Sequence, residues 1–279
     1  MIKKIIACAD VHIPPFKKID ELHTSLERFI EQCKGVVEEA GGPEFVRIVV
    51  CGDIFDAKLS ITNESILEVN WFFSELDNIC RTYVMAGNHD FIMNNLDRVD
   101  SLTPLFEIGK YKNVTYMDQV LNYKSGTITD DNVTFCLYSS FEEFKTPDIA
   151  AERELHKDNV FVGVIHGDIN GATTALARVT ENGIDPSVFD GCDFVLAGHI
   201  HKWQAINKNG VNVVYCSSLK QKDFGETVTG HGFVLWTIGE DGNNTFEYVE
   251  TDTKEGGFYK FVITDKEDII NDKEKLLNF

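Results

Sequence analysis

Short apolar runs alternate with amphipathic stretches along most of this chain of 279 residues. Apolar side chains recur at helical spacing from Leu22 to Val37, just before Gly41, and again from Thr62 to Ile79. The side of the second helix that we expect to pack carries Ile66, Val69, Phe72, Phe73 and Leu76. The runs that we predict to be buried strands cover 3–9, 45–50, 82–86, 133–138, 160–165 and 193–197. This alternation predicts a layered α/β fold with buried sheets.

From about residue 203 the pattern changes to hairpins. Asn209-Gly210 separates WQAINK from VNVVYC, and Asp241-Gly242 separates FVLWTI from NTFEYVE. Both dipeptides are strong signals for tight turns between strands. We therefore place one main domain at 1–252 and a C-terminal extension at 253–279, whose sequence predicts one strand and one short helix. This extension either packs on the main domain or begins a second one.

The charge balance limits how the chain could bind nucleic acid. It has 26 Lys and Arg against 45 Asp and Glu, a net charge of −19 at pH 7. Lys and Arg side chains bind the phosphates of nucleic acid, so the acidic balance argues against binding by overall electrostatics. A nuclease is not excluded, because bound divalent ions reverse the local sign of a carboxylate-rich site.

Cysteine usage and hydropathy predict where the protein resides. None of the seven cysteines lies in a C-x-x-C pair, and we expect them to be buried, reduced thiols. No stretch approaches the roughly 18–20 apolar residues that a membrane span needs. We therefore expect a soluble, cytoplasmic protein that does not associate with membranes.

Five apolar runs are each followed by a turn that carries His, Asp or Asn. These clusters are Asp10-Val-His12, Gly52-Asp53-Ile-Phe-Asp56, Gly87-Asn88-His89-Asp90, His166-Gly167 and Gly198-His199-Ile-His201. Ligands collect at the carboxyl ends of strands in α/β sheets. Side chains at i and i+2 of an extended segment face the same way, so His199 and His201, like Asp10 and His12, should each present two donors to one point.

Each cluster alone is typical of a turn or of a hydrogen-bonded structural histidine. Their repetition favours a metal site, because five of the eight histidines fall in these clusters. The remaining histidines, which we expect to be surface or packing residues, are His23, His156 and His231.

The candidate ligands are imidazoles, carboxylates and one amide, without any thiolate. They are Asp10, His12, Asp53, Asn88, His166, His199 and His201. Donors of these types suit Mn²⁺, Fe²⁺ or Zn²⁺ rather than a Cys-rich structural zinc site. Seven donors are too many for one ion, whereas two ions that share a bridging carboxylate would use them all. Such pairs, about 3.5–4 Å apart, recur in enzymes that cleave phosphoesters.

In this order, the motifs D-x-H, G-D-x-x-D, G-N-H-D, H-G and G-H-x-H resemble the calcineurin-like metallophosphoesterase superfamily. The resemblance implies a four-layer fold, a β-sandwich flanked by helices, with a dinuclear centre at one edge. It implies two ligand sets that share Asp53 as a bridge. The first set is Asp10, His12, Asp53 and His201, and the second is Asp53, Asn88, His166 and His199. Both ions would be divalent metals. Mn²⁺ is the expected metal, and Mg²⁺, Fe²⁺ or Zn²⁺ are the alternatives.

The same resemblance implies the catalytic residues. His89 would face the substrate and protonate the leaving oxygen, and Asp90 would orient His89. Asp56 is expected to cap or orient its own turn rather than to bind metal. Four basic residues near these loops are candidates for phosphate contacts or are solvated surface residues: Lys58, Arg98, Lys202 and Lys220.

Three stretches resemble the SbcD-like branch of DNA double-strand-break repair nucleases, particularly its phage-encoded members. They are GDIFDAK, FIMNNLDRVDSLTPLF and GHIHKWQAINKNGVNVVYCSSLKQKDFGE. This resemblance implies an exo/endonuclease subunit that acts at DNA ends in recombination, repair or replication. It also implies an SMC-like ATPase partner of the SbcC type, a homodimer, and a location in the host cytoplasm if the protein is phage-encoded. The extension 253–279 would be the start of a truncated capping domain.

Two other functions remain open. A phosphodiesterase or phosphatase for nucleotides or other small phosphoesters would share G-N-H-D and G-H-x-H, but the FGE segment is not expected of it. A non-catalytic scaffold with this fold would tend to lose ligands or the catalytic histidine. All seven ligands and His89 are present in this chain.

Overall fold

Two six-stranded sheets face each other at the centre of the fold. The computed structural model describes residues 1–16, 18–174, 177–239, 242–251 and 258. In spatial order, the first sheet contains β12 (Thr245–Glu250), β11 (Gly232–Thr237), β1 (Lys4–Cys8), β2 (Val46–Cys51), β3 (Thr82–Met85) and β4 (Val114–Tyr116). The second contains β5 (Gly126–Asp130), β6 (Val133–Tyr138), β7 (Val160–His166), β8 (Phe194–Gly198), β10 (Val211–Tyr215) and β9 (Gln204–Lys208).

Helices cover the outer faces of the sheets. Their bounds are α1 (Ile19–Ala40), α2 (Asn63–Ile79), α3 (Thr103–Ile108), α4 (Met117–Val120) and α5 (Ile149–Leu155). The helices α1 and α2 pack on the first sheet and α5 packs on the second. The predicted α/β architecture, a β-sandwich flanked by helices, is therefore confirmed. Among the residues that the structure describes, no helix has the length and apolarity that crossing a bilayer requires.

Alternating side chains along β1 build two of the core layers. Ile6 and Cys8 pack against the helices, whereas Ile5 and Ala7 point between the sheets. The contact at the centre of the sandwich is a stack between the rings of Trp236 and Phe194, whose centroids lie 3.7 Å apart. Trp236 belongs to the first sheet and Phe194 to the second, so this stack holds the two sheets face to face.

Both long helices begin and end close to the predicted residues. Thr62 and Ser65 form a capping box at the start of α2, where each side chain accepts a hydrogen bond from the other residue's backbone amide. Gly41 ends α1 with a left-handed φ of 95°. The prediction for Ile66 is wrong, because this residue is 40% exposed. Ile66 lines an open cavity beside residues 91–109.

The predicted hairpins are also present, one between β9 and β10 and the other between β11 and β12. Asn209 and Gly210 both have positive φ, as a tight primed turn requires. Two strands were not predicted from the sequence, the three-residue β4 and the edge strand β5. Both carry too few apolar residues to give a pattern. The predicted strand and helix in 253–279 lie outside the described residues, apart from Phe258.

A buried carboxylate also ties the sheets together. Asp130, at the end of β5, accepts hydrogen bonds from Arg47 Nε at 2.5 Å and from Tyr83 Oη at 2.9 Å. Both donors belong to the first sheet, on β2 and β3. Burial disfavours the charged form of Asp130, but the bonds from Arg47 hold the pKa of this carboxyl below its usual value.

We expect Asp130→Ala to lower the free energy of unfolding by about 3–5 kcal/mol, because it leaves the Arg47 guanidinium buried without a counter-charge. Urea denaturation at neutral pH measures this loss. Asp158→Ala, at an exposed position, is the matched control and should change the stability by less than about 0.5 kcal/mol. Equal stabilities for the two variants would contradict this role for Asp130.

Candidate metal centre

The polar clusters all follow strands whose carboxyl ends lie at one edge of the sandwich. Asp10 and His12 follow β1, Asp53 follows β2, and Asn88 follows β3. In the second sheet, His166 ends β7, and two histidines, His199 and His201, follow β8. Six of these side chains form two groups whose ligand atoms lie within 4.8 Å of one another. A third group of the same kind contains His12, Asp56 and His89.

The first group contains Asp10, His12 and His201. The Nε2 atoms of His12 and His201 are 2.9 Å apart. Asp10 Oδ1 lies 3.6 Å from Nε2 of His201 and 3.9 Å from Nε2 of His12. Three donor atoms therefore converge on one small volume.

The second group contains Asp53, His166 and His199, with Asn88 beside them. Nε2 of His166 lies 3.3 Å from Asp53 Oδ1 and 3.2 Å from Asn88 Oδ1. Nδ1 of His199 lies 2.8 Å from the same amide oxygen of Asn88. This group therefore combines one carboxylate, one amide oxygen and two imidazoles.

Asp53 lies between the two groups. Its Oδ1 faces His166 in the second group, and its Oδ2 lies 3.6 Å from Nε2 of His12 in the first. One carboxylate that offers an oxygen to each side is the arrangement expected of a bridging ligand.

The expectation that His199 and His201 point to one place is wrong. They belong to different groups, because His199 has a φ of 98° and the backbone there is not extended. Asp10 and His12 do converge, although both have positive φ, 53° and 49°. Asp53 has a φ of 53° as well. Strained backbone of this kind persists where the surrounding fold imposes it, and it is concentrated at functional sites.

Two glycines permit this close approach of the loops. A Cβ on Gly87 would lie 2.2 Å from the backbone nitrogen of Asp53, and a Cβ on Gly198 would lie 2.1 Å from the carbonyl oxygen of Cys51. No side chain fits in either place. The prediction that glycines bring the ligands close is confirmed at these positions.

Burial makes the charges of the site interdependent. Burial disfavours the charged form of Asp53, yet His166 and His12 hold the pKa of this carboxyl well below its usual range. Burial also opposes protonation of His166, but Asp53 raises the pKa of its ring to about 9. In the same way, Asp10 raises the pKa of His201 to about 10. Divalent cations would satisfy these carboxylates in place of the protons, so the residues present fit a metal pair.

His89 lies beside this centre, with its ring 4.8 Å from that of His12. Nδ1 of His89 donates to the backbone carbonyl of Asp56 at 2.5 Å. The buried Asp90 carboxylate accepts the backbone amides of Ile54, Phe55 and Gly87. Asp90 therefore joins the loops after β2 and β3, and burial raises its pKa to about 7. The orientation of His89 by Asp90 stays a prediction.

Residues 3–203 match the family described as calcineurin-like phosphoesterase. The chain belongs to this family. The match covers more than half of the chain and includes all seven candidate ligands and His89.

This phosphoesterase is similar to three known proteins in sequence or in fold. An uncharacterized protein of Acanthamoeba polyphaga mimivirus is 29% identical over 88% of the chain, which spans 18% of that protein. The SbcD component of the nuclease SbcCD from Staphylococcus saprophyticus is 26% identical over 84% of the chain, which spans 65% of that component. A dimetal phosphatase from Danio rerio has the same fold, with a TM-score of 0.55 and 12% identity over 85% of this chain and 92% of that one.

Four charged side chains outside the predicted set contact the candidate ligands. Asp168 Oδ2 lies 3.4 Å from Nε2 of His199, and Lys222 Nζ lies 3.2 Å from Nδ1 of His12. Glu226 accepts a hydrogen bond from Nδ1 of His201 at 2.5 Å. Asp56 Oδ1 lies 3.5 Å from Nδ1 of His12 and 2.8 Å from Lys222 Nζ. The Asp56 side chain thus faces His12 and Lys222.

Sequence patterns gave partial signals for these contacts. Glu226 ends the FGE segment that carried the resemblance to one branch of the family, but the segment alone assigns no partner to it. Among the four basic candidates, Lys220 lines a cleft with Asp10 and His12. Lys58 and Arg98 line a separate cavity, which reaches Asp90.

The histidines outside the clusters form local contacts, as expected. His231 is buried and hydrogen-bonded to Ser218, and His23 lies 2.8 Å from Glu68. His156 lies 3.9 Å from Glu152, one helical turn earlier.

Glu226→Gln should weaken metal binding by about 10- to 100-fold, because a carboxylate on Nδ1 fixes the orientation and raises the basicity of a ligating histidine. Calorimetric titration of the metal-free protein with Mn²⁺ measures this change. Glu247→Gln, on the exposed face of β12, serves as the control. Identical affinities for Glu226→Gln and the control would rule out a contribution of Glu226 to the centre.

Proposed function

We propose that this phosphoesterase is a dinuclear-metal DNA nuclease subunit. It would hydrolyse phosphodiester bonds at DNA ends, as an exo- and endonuclease, in recombination, repair or replication. The observation that carries the proposal is the pair of ligand groups converging on Asp53. The similarity to the staphylococcal SbcD protein over 84% of the chain supports the nuclease branch.

In this proposal the two groups are the two metal sites. The first ion would be held by Asp10, His12, Asp53 and His201, and the second by Asp53, Asn88, His166 and His199. Nitrogen and oxygen donors without thiolate suit Mn²⁺, with Mg²⁺, Fe²⁺ or Zn²⁺ as alternatives. When bound, such ions supply Lewis-acid stabilisation of the phosphoryl oxygens.

His89 would act as the general acid. The Asp56 carbonyl fixes the ring through Nδ1, and the ring lies next to His12 at the edge of the first ligand group. The imidazolium form would donate its proton to the leaving oxygen. Asp90 contributes indirectly, because it fixes the loop that carries His89.

Three lysines lie near the centre. Lys18, Lys220 and Lys222 line one cleft of about 160 Å³ together with Asp10 and His12. Two further acids, Glu21 and Asp56, line the same cleft and pair with Lys220 and Lys222. In the proposed function these ammonium groups would contact phosphates that flank the scissile bond.

The proposed partners are DNA, an SMC-like ATPase of the SbcC type and a second copy of this chain, in the cytoplasm of the cell or host. The apolar face of α2 mostly packs in the core of this chain, since Val69, Phe72 and Phe73 are fully buried. Exposed apolar side chains instead surround the cavity of about 570 Å³ at the start of α2, namely Leu59, Leu67, Val99 and Ile108. An apolar patch of this kind suits contact with another protein chain.

The division of the chain into a main domain at 1–252 and an extension at 253–279 stays a prediction.

A phosphodiesterase or phosphatase that acts on nucleotides or other small phosphoesters is the second candidate. The small cleft beside the first ligand group suits a small phosphoester as well as a DNA backbone. The same chemistry would operate in both cases, and only the substrate would differ. The complete ligand groups argue against a non-catalytic scaffold.

Two variants distinguish the proposed role of Asp53 in binding metal from that of His89 in proton transfer. Asp53→Ala should lose both metal ions, because it removes the shared ligand. His89→Ala should keep its metal content and lose about 100- to 10,000-fold in turnover of bis-p-nitrophenyl phosphate, because only the proton donor is missing. Elemental analysis and steady-state kinetics on the same preparations measure both. Normal turnover by His89→Ala would refute its role as the acid.

The substrate class is tested with end-labelled linear duplex and single-stranded DNA in the presence of Mn²⁺. We expect cleavage by the wild-type protein and none by Asp53→Ala, which is the blank for contaminating nucleases. Turnover of bis-p-nitrophenyl phosphate without cleavage of either DNA would contradict the nuclease proposal and favour a small phosphoester.

A further inference from the structure

Trp203 is an exposed aromatic residue at the edge of the metal centre. It follows the candidate ligand His201 by two residues and directly precedes β9. Its relative exposure is 39%. Tryptophan rings are highly buried on average, so an open ring next to a candidate catalytic site is a candidate ligand contact.

The surroundings of Trp203 hold its ring in place. Tyr248 packs against it with ring centroids 5.0 Å apart, and the Tyr248 hydroxyl donates to the Gly230 carbonyl at 2.6 Å. The next residue, Gln204, is pinned by two hydrogen bonds to the backbone of Thr173, at 2.7 and 2.8 Å. The ring therefore loses little conformational freedom when a ligand binds.

Trp203 lines a cavity together with one candidate ligand, His201. The cavity has a volume of about 350 Å³, and its lining includes His201, Glu226 and Lys202 as well as Trp203. Of its two acidic members, Glu226 is engaged by His201, and Glu250 lies on β12. A phosphodiester at the centre would extend its neighbouring nucleoside into this space.

We propose that Trp203 stacks on the nucleobase next to the scissile phosphodiester, which makes single-stranded or frayed polynucleotide the preferred substrate. The inference rests on the proposed function and specifies which form of polynucleotide is the substrate. Every base has a π-face, so stacking gives affinity without base specificity. Exposed tryptophans also occur at protein interfaces, but a cavity shared with His201 favours the substrate.

The test compares Trp203→Ala and Trp203→Phe with the wild-type protein. The measured quantity is kcat/KM for a single-stranded oligonucleotide divided by kcat/KM for bis-p-nitrophenyl phosphate, in Mn²⁺. Trp203→Ala should lower this ratio by about 5- to 150-fold, and Trp203→Phe should restore most of it, because a phenyl ring still stacks. Trp71→Ala, at a partly exposed tryptophan on α2 that packs against His23, should leave the ratio unchanged.

Two further measurements isolate stacking. An oligonucleotide with an abasic site next to the cleaved bond should be insensitive to Trp203→Ala. In the turnover-deficient His89→Ala protein, the oligonucleotide should quench tryptophan fluorescence, and the added Trp203→Phe change should abolish this quenching.

Three results would overturn the inference. If the wild-type protein hydrolyses bis-p-nitrophenyl phosphate but neither duplex nor single-stranded DNA, or hydrolyses none of these substrates, the proposed function and this inference fail together. If it hydrolyses both bis-p-nitrophenyl phosphate and the oligonucleotide, and Trp203→Ala leaves the ratio intact, only the inference fails, and a protein-binding role for Trp203 is favoured. An equal loss on abasic and intact oligonucleotides would exclude stacking on a base.

Discussion

The buried carboxylate of Asp53 is the constraint on which the rest of the site depends. Its relative exposure is 2%, and it lies between imidazoles of both ligand groups. A buried carboxylate requires compensating charge and hydrogen bonds. The backbone amide of His89 donates to Oδ1, and His166 supplies the nearest ring. Positioning these partners requires bare backbone at Gly87, since any side chain there would overlap Asp53.

The sandwich provides the rigidity that such an arrangement needs. Four of the seven candidate ligands have positive φ, namely Asp10, His12, Asp53 and His199. Each conformation of this kind costs of order 1–3 kcal/mol and persists only where neighbouring packing imposes it. The packing comes from the Trp236–Phe194 stack between the sheets and from the Asp130 network, which joins the edge strand β5 to β2 and β3. Strain at the centre is thus offset by packing away from it.

The polar contacts around the ligand groups connect distant segments to the same edge. Glu226 fixes His201, Asp56 pairs with Lys222 beside His12, and Asp90 joins the loops after β2 and β3. These contacts position the candidate ligands. In the proposed function, local lysines, bound cations and the exposed ring of Trp203 would offset the net charge of −19 close to the scissile bond.

The sequence by itself determined the layered α/β fold, most strand and helix bounds, the hairpins and the gathering of the polar clusters. Apolar periodicity and turn dipeptides are local properties, and polar residues after parallel strands must gather at one edge. The resemblance to metallophosphoesterases also implied that His199 and His201 belong to different ligand sets.

Only the tertiary structure decided how the loops produce this separation. The left-handed φ at His199 separates it from His201, and neither residue type nor spacing encodes that angle. The same holds for Asp90, which binds backbone amides, and for Glu226, whose partner lies 25 residues away in sequence. Such pairings depend on which loops pack against each other, and that is fixed by the two sheets together.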